Sequence, residues 1–193
     1  APPGKYSISQ MTYLSRLYRP NSGSFGSWGK EQHLNPGKQF EENFKKSVPE
    51  DTYYLRLPDS SIGFDIEHST QRFALKSPYD TVLYRKGRMY SLELKSVGKG
   101  AISYEGSSPK IKEHQIQELI KAAQYGIVSG LVCNFRNTEN TYFLPIANFE
   151  FLRCESKKKS FNENDIKGLS VLIPHRKLRV NYRYDLTVLV GGD

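Results

Sequence analysis

One stretch constrains the fold more than any other. Asp80–Arg85 and Arg88–Ser96 are two runs rich in β-branched, aromatic and aliphatic residues, and only Lys86-Gly87 separates them. Such a pattern reads as an antiparallel hairpin with a two-residue turn. With Lys86 and Gly87 as the loop, Arg85 pairs with Arg88, and counting outward sets Asp80 opposite Glu93. Directly opposed side chains have Cβ atoms about 4.5–5.5 Å apart, so two carboxylates there repel unless something sits between them. A divalent cation resolves the conflict. Strand alternation puts Glu93 and Lys95 on one face and sends Leu92 and Leu94 to the other, toward a core. Asp80, Glu93 and Lys95 are therefore expected to converge.

The flanking chain fits a mixed α/β domain. Asn35-Pro36 marks a helix start, and Phe40, Phe44 and Val48 then recur at four-residue spacing, which predicts a helix over 36–47 that Pro49 helps to stop. Tyr53–Leu57 is a short strand, and GFDIEHSTQRFAL reads as an extended pair with a loop. After a Gly/Ser-rich loop, Pro109 opens an expected helix to Tyr125, with Ile116, Leu119, Ile120 and Ala123 on one face, and Gly126 ends it. IVSGLVCNF is a buried strand, TYFLPI a second strand across the turn RNTEN, and ANFEFLRC and NENDIKGL are short helices. RVNYRYDLTVLV is expected to close the chain as a strand. The order implies a central mixed sheet with helices on its faces, residues 35–193 forming the domain. Residues 1–34 hold PP and NSGSFGSWG without periodicity and read as a flexible arm, whose Tyr18, Phe25 and Trp28 could stack on unpaired bases.

Size and charge narrow the function. A chain of 193 residues can bury a single core. No apolar run reaches membrane-spanning length and no secretory signal is evident, so a soluble, cytoplasmic protein of a bacterial or phage-infected cell is expected. Cys133 and Cys154 are too few for a disulfide framework, though a single disulfide stays open. Lys+Arg 28 against Asp+Glu 20 gives a net charge of +8, which favours a polyanionic partner. Between Lys76 and Lys112, eight basic residues surround Asp80, Glu93 and Glu105, and nine cations run from Arg153 to Arg183.

Two opposed carboxylates beside a lysine, in basic surroundings, suit phosphodiester hydrolysis. Hard oxygen ligands select Mg²⁺, with Mn²⁺ as a substitute, and the ion polarises the scissile phosphate and acidifies water. The backbone carbonyl of Leu94 is a natural further ligand, and Lys95 would orient or deprotonate the water. The bland alternative is an ion-paired Asp, Glu and Lys on a solvated sheet face.

Pro78-Tyr79-Asp80, then twelve residues, then Glu93-Leu94-Lys95 resembles the metal-dependent PD-(D/E)xK nuclease signature. Gly37-Lys38-Gln39-Phe40-Glu41, Tyr84-Arg85-Lys86-Gly87-Arg88, His114-Gln115-Ile116, Lys159-Ser160 with Asp165-Ile166, and Tyr184-Asp185-Leu186 resemble RecU-type Holliday-junction resolvases over roughly 35–190. The resemblance implies a restriction-endonuclease-like core and a Mg²⁺-dependent homodimer that resolves four-way DNA junctions by paired symmetric nicks in recombination and repair. It matches Asp80 and Glu93 to metal ligands, Lys95 to the catalytic lysine, and Glu41 to an acidic residue acting through metal-bound water. Gln115, at the border of the apolar face of its helix, could reach the same site, and His114 could contact phosphate.

One departure stands out. RecU-type enzymes carry a long stalk between the first strand and the Asp strand, where this chain has only LPDSSIGFDIEHSTQRFALKS. A phage-type or divergent member with a short projection is the expectation. Asp65 and Glu67 in that stretch read as solvated. Lys38, Lys110, Lys112, Arg176, Lys177, Arg179 and Arg183 are candidate contacts to backbone phosphates. Two alternatives stay open: a nuclease for ordinary duplex DNA at the same site, and a basic nucleic-acid-binding module without turnover.

Overall fold

Among the described residues the elements are, in chain order, α1 (Pro36–Lys45), β1 (Tyr53–Arg56), β2 (Gly63–Asp65), β3 (Thr70–Arg72), β4 (Thr81–Arg85), β5 (Arg88–Val97) and β6 (Ile102–Ser103). They continue with α2 (Glu113–Gln124), β7 (Val128–Phe135), β8 (Asn140–Pro145), α3 (Ile146–Glu155), β9 (Ser160–Phe161) and α4 (Glu163–Ile166). β10 (Val171–Leu172), β11 (His175–Lys177), β12 (Tyr182–Tyr184) and α5 (Thr187–Val190) complete the chain. The computed structural model describes residues 35–58, 63–65, 70–72 and 76–191. The expected arm, with Tyr18, Phe25 and Trp28, lies outside the described residues, as do Glu67 and the side chain of Asp65.

The hairpin forms as its turn dictates. β4 and β5 pair antiparallel from Arg85 opposite Arg88 to Thr81 opposite Leu92. Lys86 and Gly87 both take positive φ, 48° and 79°, the requirement of the mirror-image turn that matches strand twist. Around this hairpin the sheet builds in the order β1-β4-β5-β7-β8-β10. Only β5 and β7 are parallel, joined through β6 and α2; every other neighbouring pair in the sheet is antiparallel. The expected mixed sheet flanked by helices is what the chain forms. β2–β3, β6–β9 and β11–β12 are separate two-stranded ribbons.

Both faces of the sheet are covered. On one, Val97, Leu131, Cys133 and Leu144 pack with Ile116 and Leu119 of α2 and Phe149 of α3. On the other, Leu92, Leu94, Val132 and Phe143 pack with Phe40 and Phe44 of α1, Tyr184 of β12 and Val190 of α5. α1 starts as its sequence directs, with Asn35 Oδ1 accepting from the Gly37 N–H at 3.0 Å and proline in the first turn.

Two expectations need correction. The helix expected from Pro109 begins at Glu113, because Lys110 and Ile111 donate their backbone N–H groups to the Ser103 hydroxyl and carbonyl instead of entering a helix. The closing segment is a strand only over Tyr182–Tyr184 and then turns into α5. Asp185 Oδ1 accepts from the Thr187 N–H at 3.1 Å, and burying Leu186 and Val190 outweighs the β preference of that run. Both cysteines are free, Cys133 buried and Cys154 exposed. Among the described residues, no helix is long and apolar enough to cross a membrane.

Candidate active site at the open end of the hairpin

Asp80 lies one residue beyond the paired run of β4, where the ladder, continued, would set it opposite Glu93. Since Arg85 and Arg88 flank the turn as a hydrogen-bonded pair, alternation makes this position a non-hydrogen-bonded one, the type in which side chains approach more closely. Asp80 Oδ2 accepts the Leu94 N–H at 2.7 Å. A strand residue presents its N–H and C=O to the same side, so the Leu94 carbonyl also points past the end of β4.

Glu93 has no solvent exposure. Its Oε1 accepts from Lys95 Nζ and, at 2.6 Å, from Gln115 Nε2. Its Oε2 is buried and has no hydrogen-bond partner. Burial first, then the facing Asp80 carboxylate, pushes the Glu93 carboxyl up to about 7 against the pull of Lys95. For Lys95, burial works against the charge, but Glu93, Asp80 and Glu41 outweigh it and hold the ammonium above its ordinary range.

Gln115 is aimed from the first turn of α2. Its Oε1 accepts the Lys112 N–H at 3.0 Å, capping the helix, and this turns Nε2 toward Glu93. Glu41, on α1, meets Arg56 of β1 at 2.7 Å, and its charge still acts on Lys95. Asp80, Glu93, Lys95 and Gln115 therefore come together. Glu41 sits beside them without joining a carboxylate triad: among the described residues no group of three His, Cys, Asp or Glu side chains is placed to hold a metal.

A polar cleft of about 250 Å³ opens on Asp80 and Gln115, lined also by Lys76, Ser77, Tyr79, Lys112 and His114. Burial, then Lys76 and Lys112, holds the His114 imidazole below its ordinary range. Ser77 carries no signal in the sequence, while Lys76 enters it as part of the basic run and Tyr79 as part of the Pro78-Tyr79-Asp80 signature. The donor set fits a hard divalent cation: an unpartnered buried carboxylate oxygen on Glu93, a second carboxylate on Asp80, the Leu94 carbonyl, and an open side for water. Mg²⁺ commonly takes one or two protein carboxylates and keeps several waters.

The expected phosphate contacts are spread over the surface. Lys38, Arg176 and Arg179 are exposed, and Lys112 is at the cleft. Lys110 Nζ donates to the Ala101 carbonyl at 2.9 Å. Lys177 is tied to Glu139, and Arg183 is half-buried on β12.

No family model matches the chain. In fold it is similar to Hjc of Archaeoglobus fulgidus, a Holliday junction resolvase from an archaeal hyperthermophile, at a TM-score of 0.45 and 14% identity over 70% of this chain and 95% of that one. In sequence it is similar to the SPbeta prophage-derived uncharacterized protein YotM of Bacillus subtilis (strain 168), with 33% identity over 174 residues, 81% of this chain and 86% of that protein. An identity of that level across most of both chains means that this chain belongs to the YotM family.

Proposed function

We propose that the chain is a metal-dependent endodeoxyribonuclease with a restriction-endonuclease-like core, acting on branched DNA, four-way junctions above all. One observation carries the reading: a fully buried glutamate with one unpartnered oxygen faces a second carboxylate beside a lysine, at the edge of a cationic cleft. A structural ion pair needs no second carboxylate, and setting one opposite the buried Glu93 costs stability.

Asp80 and Glu93 would hold a divalent ion, with the Leu94 carbonyl as a further ligand. The ion, when bound, supplies Lewis acidity toward a scissile phosphate and favours ionisation of water. Three carboxylates draw Lys95 toward its charged form; beside a bound ion it would orient or deprotonate the attacking water and stabilise charge developing on phosphate oxygens. Gln115 fixes the Glu93 carboxylate through Oε1 and leaves Oε2 without a partner. Glu41, paired with Arg56, adds negative charge that acts on Lys95. Lys76, Lys112 and His114 line the approach to the cleft, and Lys38, Lys110 and the cations of the β11–β12 ribbon extend the positive surface, giving affinity that weakens as salt rises. Paired symmetric nicks need two sites, so the active species is a homodimer.

The test is cleavage of a labelled mobile four-way junction and a linear duplex of matched sequence, with and without Mg²⁺ or Mn²⁺, by wild type, Asp80→Asn and Glu93→Gln. Metal-dependent cutting of the junction that either variant abolishes, with DNA binding retained, is the expected result. Equal cutting of both DNAs would make ordinary duplex the substrate. DNA binding without cutting in either metal would leave a binding module.

A further inference from the structure

The β11–β12 ribbon plays no part in the cleft, yet its charge and shape are unusual. Its register sets His175 opposite Tyr184 and Lys177 opposite Tyr182, so these four share one face. At its base Tyr184 is buried, with its ring edge-on to Phe40 at 5.7 Å between centroids, while Lys177 toward the tip is exposed. The other face carries Arg176 directly opposite Arg183. Like charges so placed destabilise a ladder unless an anion lies between them. Lys177 is neutralised by Glu139, but among the described residues Arg176, Arg179 and Arg183 form no ion pair. Arg183 Nη1 is in addition buried without a hydrogen-bond partner.

The tip is fixed as well as charged. The Leu178 N–H donates to the Asn181 carbonyl at 2.7 Å, and Asn181 Oδ1 accepts from Gln39 Nε2 of α1 at 2.6 Å. Above that anchor Val180 is 76% exposed and Leu178 36%, on either side of Arg179. Guanidinium groups match phosphate, but an apolar tip finds nothing to bury against along a phosphate backbone. It finds a partner in the faces of unstacked bases, against which nucleic-acid-binding proteins lay apolar and aromatic side chains.

We infer that the β11–β12 ribbon is a second DNA-contact element, which takes a strand phosphate between Arg176 and Arg183 and sets Leu178 and Val180 against bases exposed where strands part. The inference rests on the nuclease reading and deepens it, since it assigns preference for branched DNA to a particular part of the chain. Position agrees. α1 carries Gln39, which holds the tip, and, two residues on, Glu41, whose charge acts on Lys95. One helix therefore carries both the anchor of the tip and a charge felt at the carboxylate cluster.

The experiment is equilibrium binding of the full chain, in EDTA so that nothing is cut, to a labelled four-way junction and to a linear duplex of matched sequence over a range of salt. Wild type should bind the junction more tightly. Leu178→Ser/Val180→Ser should shrink the junction-to-duplex preference by about fivefold, on the scale of lost base stacking. Arg176→Gln/Arg183→Gln should weaken binding to both DNAs and lower the salt slope by about one per arginine. Arg176 is exposed, so Arg176→Gln alone serves if the double variant does not fold. A wild type without preference, a preference the tip variant leaves unmoved, or an unchanged salt slope would overturn the inference. The outcomes separate the two claims: the expected binding pattern in a protein that never cuts DNA sinks the nuclease and spares the ribbon, whereas metal-dependent cutting with an inert tip does the reverse.

Discussion

Two lysine–glutamate pairs in this molecule make the same close contact and respond to it in opposite ways. Lys177 and Glu139 meet at the surface, their side chains 59% and 42% exposed, and the Glu139 carboxyl is held below its ordinary range by the Lys177 and Tyr182 hydrogen bonds. Lys95 and Glu93 meet where the side chains are 20% and 0% exposed, and the Glu93 carboxyl rises to about 7. The ammonium partner is common to both, so it does not decide the sign. Burial decides, and the Asp80 carboxylate adds to it. A lysine beside a glutamate is an ordinary surface feature; a dry glutamate facing a second carboxylate is not, and the proposed cation site rests on that difference.

The sharpest way to break this contrast is Glu93→Gln. It keeps the shape and removes the charge, and metal-dependent cutting of a four-way junction should fall by about 10³-fold. At the surface pair, Glu139→Gln should leave the urea midpoint unchanged, because the exposed pair is screened by solvent. Retained cutting in Glu93→Gln would mean that the buried pair is structural.

Protonation supplies the next test. A carboxyl raised to about 7 in the fold and near 4.5 when unfolded favours the native state most below pH 4.5, and that stability is lost as pH rises to 7, by up to about 3 kcal/mol. His114, held low, acts in the opposite direction at and below its ordinary value of 6.5. The difference between wild type and Glu93→Gln isolates the glutamate. In EDTA, urea midpoints at pH 5 and 7.5 should show wild type losing stability relative to the variant on the alkaline side. A constant difference would place Glu93 in a wetter site than its burial implies.

Mg²⁺ should remove part of that loss. At ten times its dissociation constant, a ligand that binds only the native state adds about 1.4 kcal/mol. Thermal melts at pH 7.5 should show that gain in wild type and little of it in Asp80→Asn. An equal gain in both would move the ion away from the hairpin.

How much of this was legible in the sequence follows the same division between local and distant causes. The turn, the register and the meeting of Asp80 with Glu93 were legible because a two-residue loop fixes the pairing of every residue beyond it. The beginning of α2 was not. Its cap position is Lys112, which carries no capping signal, and Pro109 gives a false one; what keeps Lys110 and Ile111 out of the helix is Ser103, several residues back on β6. The Asp185–Val190 segment misled through its β-branched residues, since it is helical for the sake of a core built largely from α1 and the sheet. Within the site, residue identity pointed to Glu93 but gave no hint that it is dry. That depends on β7 lying alongside β5 and on α2 over the same face, which are contacts between distant parts of the chain.

Gln115 offers the smallest effect and the finest distinction. Its amide joins a helix cap to the site, accepting from the Lys112 N–H and donating to Glu93 Oε1. Gln115→Leu should lower cutting of the junction by about five- to tenfold at saturating DNA, the scale of one ordinary hydrogen bond, while leaving the half-saturating DNA concentration nearly unchanged. Gln115→Glu keeps an oxygen for the cap but sets a third carboxylate beside Asp80 and Glu93. It should cut more slowly than Gln115→Leu without Mn²⁺ and recover preferentially as Mn²⁺ is raised. If the two substitutions behave alike at every metal concentration, Gln115 serves the helix and not the carboxylate pair.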